Sequence, residues 1–390
     1  MMHKPWLTIL FLSVLPIATA QEKNITLEDI WNGSFRTERM EVLHSMDNGQ
    51  QYSVLNFNRF TRSTSVDLYD YKTQSKVQSL VDSKDLEAIA YFTNYNFSDD
   101  ESKILLASEV ESIYRRSTLG LFFVYDLALK KLQKISDYKI QEPTFSPDGS
   151  KVAYGYKNNL YVKDLETGQT KQITFDGEKN KIINGITDWV YEEEFAFVRA
   201  YEWNADGQKI AFLRFDETLV PEFSMDVYGR ALYQTQQVFK YPKAGEKNAV
   251  VSLYVWDLNT DSTTKVKLQK PYNDFYIPRI KWTSDASVLS AQYLNRLQNE
   301  LDLWAIDTTS NKSSILLTET DAAYVDVTDN LTFLKDNSFI WTSEKDGHNH
   351  LYHYSKTGKL INQLTQGNWE VTAYYGCDEK NKRIYYQSVE

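Results

Sequence analysis

A short turn-and-strand unit that returns along the chain constrains the fold more than any other feature. Ser146-Pro-Asp-Gly-Ser-Lys-Val-Ala-Tyr154 recurs as Asn204-Ala-Asp-Gly-Gln-Lys-Ile-Ala-Phe212, with looser copies at 98–106, 283–291 and 334–341. In each, Asp and small residues build a tight turn because their side chains bond the local backbone, and an apolar strand follows. A second unit trails each copy: Phe123-Val-Tyr-Asp-Leu127, Leu160-Tyr-Val-Lys-Asp-Leu165, Leu253-Tyr-Val-Trp-Asp-Leu258 and Leu303-Trp-Ala-Ile-Asp307, with shorter forms at Leu68-Tyr-Asp70 and Leu351-Tyr-His-Tyr354. A polar turn and another short strand, such as Lys171-Gln-Ile-Thr174, generally come next, so one period is about four short strands.

Four-stranded antiparallel units repeating every 40 to 50 residues or so are the signature of propeller blades, each sheet burying its faces against its neighbours. A β-sandwich is the main rival. The closing aspartate of the second unit falls at Asp70, Asp126, Asp164, Asp257 and Asp307, at intervals of 56, 38, 93 and 50 residues. The longest interval exceeds one blade and holds two excursions, 175–199 and 216–249, and insertions into a regular scaffold tend to carry binding residues. The expectation is an all-β chain, a β-propeller of four-stranded antiparallel blades over 40–390, with six blades and the start of a seventh at 369–390. A propeller left open has exposed edges, which suggests a portion of a longer product.

Composition narrows function. Lys and Arg number 43 against 53 Asp and Glu, a net charge of −10, so there is no broad basic footprint for nucleic acid or an anionic membrane. A cationic ligand group would be better received. The single cysteine, Cys377, excludes an intramolecular disulfide and a multi-cysteine zinc site, and reads as a small buried or half-buried side chain. Residues 1–20 have Lys4, an apolar stretch and Ala18-Thr19-Ala20, the pattern of a cleaved signal peptide. A segment 21–39 then precedes the propeller. No later run is long and apolar enough to span a bilayer, so export to a periplasm or the exterior is expected. No G-x-S-x-G, phosphate loop, H-E-x-x-H or dinucleotide fingerprint occurs, so no catalytic residue, metal or cofactor is assigned. The cluster His348-Asn-His350-Leu-Tyr-His353 reads as a solvated strand face.

The first excursion contains Asn184-Gly-Ile-Thr-Asp-Trp-Val-Tyr-Glu-Glu-Glu-Phe-Ala-Phe-Val198. Three consecutive glutamates ordinarily form a solvated helical turn. Here aromatic residues flank them, so the element should pack its apolar side on the propeller and hold at least two carboxylates in place. Two carboxylates held together demand a cation, and a primary ammonium with three donors satisfies them by charge-assisted bonds.

The run Asp188-Trp-Val-Tyr-Glu-Glu-Glu194 closely resembles the hallmark of the dipeptidyl peptidase IV family of serine peptidases. Secondary matches include Ser112-Ile-Tyr-Arg-Arg-Ser117, Asp216-Glu-Thr-Leu-Val-Pro221, Tyr241-Pro-Lys-Ala-Gly245, Asn295-Arg-Leu-Gln-Asn299 and Gly367-Asn-Trp-Glu-Val371, so the resemblance runs from about residue 90 to the end. It implies an amino-terminal propeller, eight-bladed in the family, preceding an α/β-hydrolase domain that supplies the catalytic residues and is not among these residues. It further implies that Glu193 and Glu194 bind the free α-ammonium of a peptide and that Arg115 holds a substrate carbonyl. Glu192 would make a structural contact, with Asp188, Trp189 and Tyr191 anchoring the loop. Peptide amino termini with proline or alanine second, the hydrolase domain and a second copy of the chain would be the partners. The family's late-blade contacts should fall near 323–328, where no residue matches. A stand-alone binding propeller and a tripeptidyl-type relative are the alternatives.

Overall fold

The computed structural model describes residues 24–37 and 42–390, so the expected signal peptide lies outside the described residues. The first unit, up to Val42, contains helix α1, Leu27–Trp31. Its amino end is a reciprocal cap: Thr26 Oγ1 accepts the Asp29 N–H and Asp29 Oδ2 accepts the Thr26 N–H, each at 3.1 Å.

The second unit, 43–390, is a succession of antiparallel sheets. Blades 1, 2 and 3 cover 43–82, 94–134 and 141–172, blade 4 covers 182–265, blades 5 and 6 cover 275–320 and 332–363, and a two-stranded seventh covers 371–388. Six sheets and part of a seventh are what the repeat predicts. Each repeated aspartate has a physical task. Asp126 Oδ1 accepts the N–H groups of Ala128 and Leu129 at 3.0 and 2.8 Å, and Asp164, Asp257 and Asp307 close their turns in the same way. In the leading turn, Asp148 Oδ1 accepts the Ser150 N–H at 3.0 Å and Ser146 Oγ accepts the Lys151 N–H at 2.9 Å. Gly149 sits there at φ 64°, and Glu101 and Asn337 adopt the same left-handed backbone at φ 54° and 64° in the looser copies. The turn geometry is therefore kept where glycine is not.

Neighbouring blades share hydrophobic layers. Ile104, Leu106, Phe123 and Tyr125 of blade 2 pack with Val66 and Val81 of blade 1. Leu105 and Val124, one residue out of phase on the same strands, pack with Val152 and Tyr154 of blade 3. Alternate side chains point to opposite faces of a strand, and here both faces are buried, so these strands read as continuous apolar runs. Ala153, Leu160 and Val162 then meet Tyr201, Ile210 and Phe212 of blade 4, a larger cluster joins blades 4 to 6, and Ile340 and Leu351 meet Val371 of the seventh sheet.

Blade 4 explains the long interval. Its strand Lys209–Asp216 pairs on one side with Val250–Asp257 and on the other with two short strands, Ile182–Asn184 and Tyr201–Trp203. The residues between those two short strands include helix α2, Trp189–Glu194, and the second excursion carries a separate hairpin, Glu222–Val227 with Thr235–Lys240.

The histidine expectation is corrected. His350 is fully buried, its ring nitrogens at 3.0 Å from Thr365 Oγ1 and 3.1 Å from Gly367 O, with the ring edge-on to Trp369. The sequence pattern missed this because both faces of a blade strand are covered. His348 lies near Glu370, at 3.9 Å. Cys377 is half-buried. Among the described residues, no helix is long and apolar enough to cross a membrane.

Candidate functional site

Helix α2 starts where Asp188, in extended backbone, turns its carboxylate onto the Tyr191 N–H at 2.9 Å. The approach is tight. Gly185 has φ 72°, and a Cβ there would lie 2.4 Å from the buried side chain of Leu160. The helix is then fixed by its apolar side: Tyr191 packs edge-on against Phe195 and Phe215, and its hydroxyl accepts the Ile277 N–H of blade 5 at 2.8 Å. Trp189 is half-buried against Tyr241, with ring centroids 4.2 Å apart.

Successive helical residues are turned by about 100°, so three consecutive glutamates cannot share one environment. Glu192 is directed inward and is 1% exposed. Its Oε1 accepts the backbone N–H groups of Arg116 and Ser117 at 2.6 and 2.9 Å, holding the turn between the two long strands of blade 2. Glu193 is half-buried and its Oε2 meets Arg115 Nε at 3.1 Å, the arginine side chain being 72% exposed. Glu194 is exposed, and no hydrogen bond or ion pair to its carboxylate is found among the described residues. The structure therefore brings Arg115, Glu193 and Glu194 to one place and gives Asp188, Trp189, Tyr191 and Glu192 packing and hydrogen-bond partners beneath them.

Two features escape the sequence. Tyr324, in the connection from blade 5 to blade 6, is 53% exposed, and partial burial, then the charges of Asp326 and Glu194, push its hydroxyl pKa up. The Asp321 carboxylate shapes its turn by accepting the Ala323 N–H at 2.7 Å. The single aromatic residue within 323–328 was the available signal. The second is a cavity of about 630 Å³ behind α2, lined by Tyr114, Asp188, Trp189, Glu192, Glu217 and Phe239 among others. Burial raises Asp188 to about 6 against the pull of the Tyr191 N–H, and burial with the Asp188 charge raises Glu217 to about 7. Tyr114 is raised to about 12 by burial and by the charges of Glu217, Glu192 and Asp188.

Residues 98–390 match the family described as the dipeptidyl peptidase IV (DPP IV) N-terminal region. Human "Prolyl endopeptidase FAP" is 27% identical over 94% of this chain and 49% of that protein. Rat "Inactive dipeptidyl peptidase 10" is 26% identical over 98% and 50% respectively. The crystal structure of dipeptidyl peptidase 4 from Porphyromonas gingivalis superposes with a TM-score of 0.87 at 36% identity, covering 95% of this chain and 53% of that one. The chain thus spans about half the length of these relatives. With a propeller of this construction and a family match over three quarters of its residues, the chain belongs to the dipeptidyl peptidase IV family, of which it is the N-terminal region.

Proposed function

We propose that this region recognises substrate for an exported, serine-type dipeptidyl peptidase that removes amino-terminal dipeptides with proline or alanine second. Glu193 and Glu194 bind the free α-ammonium, Arg115 holds a backbone carbonyl, and an α/β-hydrolase domain supplies the chemistry. The observation that carries the proposal is the arrangement on α2: one glutamate paired with an exposed arginine at 3.1 Å beside a second glutamate exposed and unpaired among the described residues. A carboxylate pair of this kind accepts three ammonium donors by charge-assisted bonds. Fixed at one distance from a nucleophile, the pair would measure off two residues from a chain end and leave internal peptide bonds uncut. The propeller would admit only extended termini, and a second copy of the chain would be a partner in assembly.

The test is to compare, in the full-length protein, a chromogenic Ala-Pro substrate with a free amino terminus and the same substrate acetylated. Acetylation removes the charge, and kcat/KM should fall on the order of 10²-fold or more. Equal turnover of the two overturns the proposal. A second reading, a non-catalytic propeller that binds peptide termini, is favoured by the match to a relative named inactive. Absence of turnover in the full-length protein, with retained binding of free amino termini, would select it.

A further inference from the structure

Glu217 lies in the connection that follows strand Lys209–Asp216, is 5% exposed, and lines the cavity behind α2. Its backbone N–H donates to Lys181 O at 2.8 Å, but among the described residues no hydrogen bond or ion pair is made by its carboxyl group. The residue is 5% exposed, so its carboxyl oxygens open only onto the cavity, and a carboxylate so confined without a protein partner is costly to ionise.

The groups around it are already committed. From α2, Asp188 caps the helix and Glu192 holds the Arg116 and Ser117 amides. From the blade 2 turn comes the half-buried Tyr114. From the hairpin comes Lys240, which donates to Val220 O at 2.8 Å and stands 3.8 Å from Glu222. Burial is the largest influence against ionised Glu217, Asp188, Asp216 and Glu222 act in the same direction, and the Lys240 charge opposes them. Lys157, Glu178 and Lys179 complete the charged lining on the blade 3 side.

We propose that Glu217 is a positioning residue that carries a proton beneath α2, and that losing this proton drives α2 and the Arg115 turn apart. Ionised, Glu217 adds a third buried negative charge to Asp188 and Glu192. Neither of those can take up the proton without weakening the bond that fixes the helix or the turn. Displacement of α2 relieves the repulsion, and Glu193 then leaves Arg115. The consequence for substrate rests on the function proposed above; the proton-linked movement does not.

Amide hydrogen exchange on the full-length protein at about pH 7 and about pH 8.5, above the range in which Asp188 titrates and corrected for the intrinsic rise of exchange with pH, tests this directly. In the wild type, the amides of Tyr191 to Glu194, Arg116 and Ser117 should lose protection at the higher pH, on the order of tenfold beyond the rest of blades 2 and 4. Glu217→Gln, isosteric and neutral, should keep low-pH protection at both. Persistence of the step in E217Q overturns the proposal. So does a wild type whose α2 amides follow the rest of the chain, a result that needs no variant to fold. If the step is present but acetylated and free peptides are handled alike, the ammonium-site function falls and the role of Glu217 stands.

Discussion

The Glu192 carboxylate accepts the backbone N–H of Ser117 at 2.9 Å, joining residues 75 positions apart and two sheets that are not neighbours. This bond, with its twin to Arg116, makes the inward glutamate of α2 a structural part of the blade 2 turn. Arg115, the residue just before, is thereby delivered to Glu193.

Glu192→Ala leaves two amides without their charged acceptor and removes a buried side chain. Hydrogen bonds to charged groups contribute about 1.5–3 kcal/mol each, so a loss of about 3–6 kcal/mol is expected in denaturant unfolding, with E192Q intermediate. A change within about 0.5 kcal/mol of wild type would show that the turn holds itself.

Glu193→Ala and Glu194→Ala should separate function from stability. Glu194 is exposed and the Arg115–Glu193 pair is largely solvated on the arginine side, so unfolding free energies should move by less than about 1 kcal/mol. In the full-length protein, kcat/KM on an Ala-Pro substrate should nevertheless fall on the order of 10²-fold or more for each. Near-normal turnover in both variants would remove these residues from the site.

Glu217 also makes a stability prediction. Its carboxyl is raised from 4.5 to about 7 in the folded protein. A raised folded pKa supports stability fully below the unfolded value, and that support is lost as pH rises from about 4.5 through about 7. Glu217→Gln should therefore match wild type near pH 4 and exceed it at pH 8 by up to about 2–3 kcal/mol. Equal melting temperatures at pH 8 would contradict this.

Gly185→Ala meets two obstacles at once, a left-handed backbone at φ 72° and a Cβ 2.4 Å from Leu160. The strain costs about 1–2 kcal/mol and overpacking about 1–3 more. Loss of about 2–5 kcal/mol in chemical denaturation is expected, and Gly49→Ala, which shares a left-handed backbone at φ 65° but has nothing within 4 Å, should lose only the strain, about 1–2 kcal/mol.

The blades were legible because each is written twice over, once in its Asp-containing turns and once in its apolar strands. Asp126 and Asp307 act within three residues of themselves, and local chemistry of that kind is visible in sequence. The acidic element was visible through its aromatic flanks, whereas the Asp188 cap that starts its helix came only with the structure. What escaped depends on partners distant in sequence. His350 is buried because Thr365, Gly367 and Trp369 close over it. Glu217 sits in the motif Asp216-Glu-Thr-Leu-Val-Pro221, yet its character comes from Asp188 and from burial beneath α2, which no local pattern records. Tyr324 lies within the field of Glu194 from another blade, a neighbour that no local pattern records.

The bond between α2 and the blade 2 turn spans blade 3, whose two faces pack on the sheets that carry them. Blade 3 therefore acts as a spacer gauge: the thickness of its side-chain layers sets the gap that Glu192 must bridge. Exchanges of Val152, Tyr154 or Leu160 for larger or smaller side chains would retune the distance between Arg115 and the glutamates without touching either. On the function proposed above, drift in specificity would then arise from packing layers, at positions where a comparison of the proposed binding residues alone would find no difference.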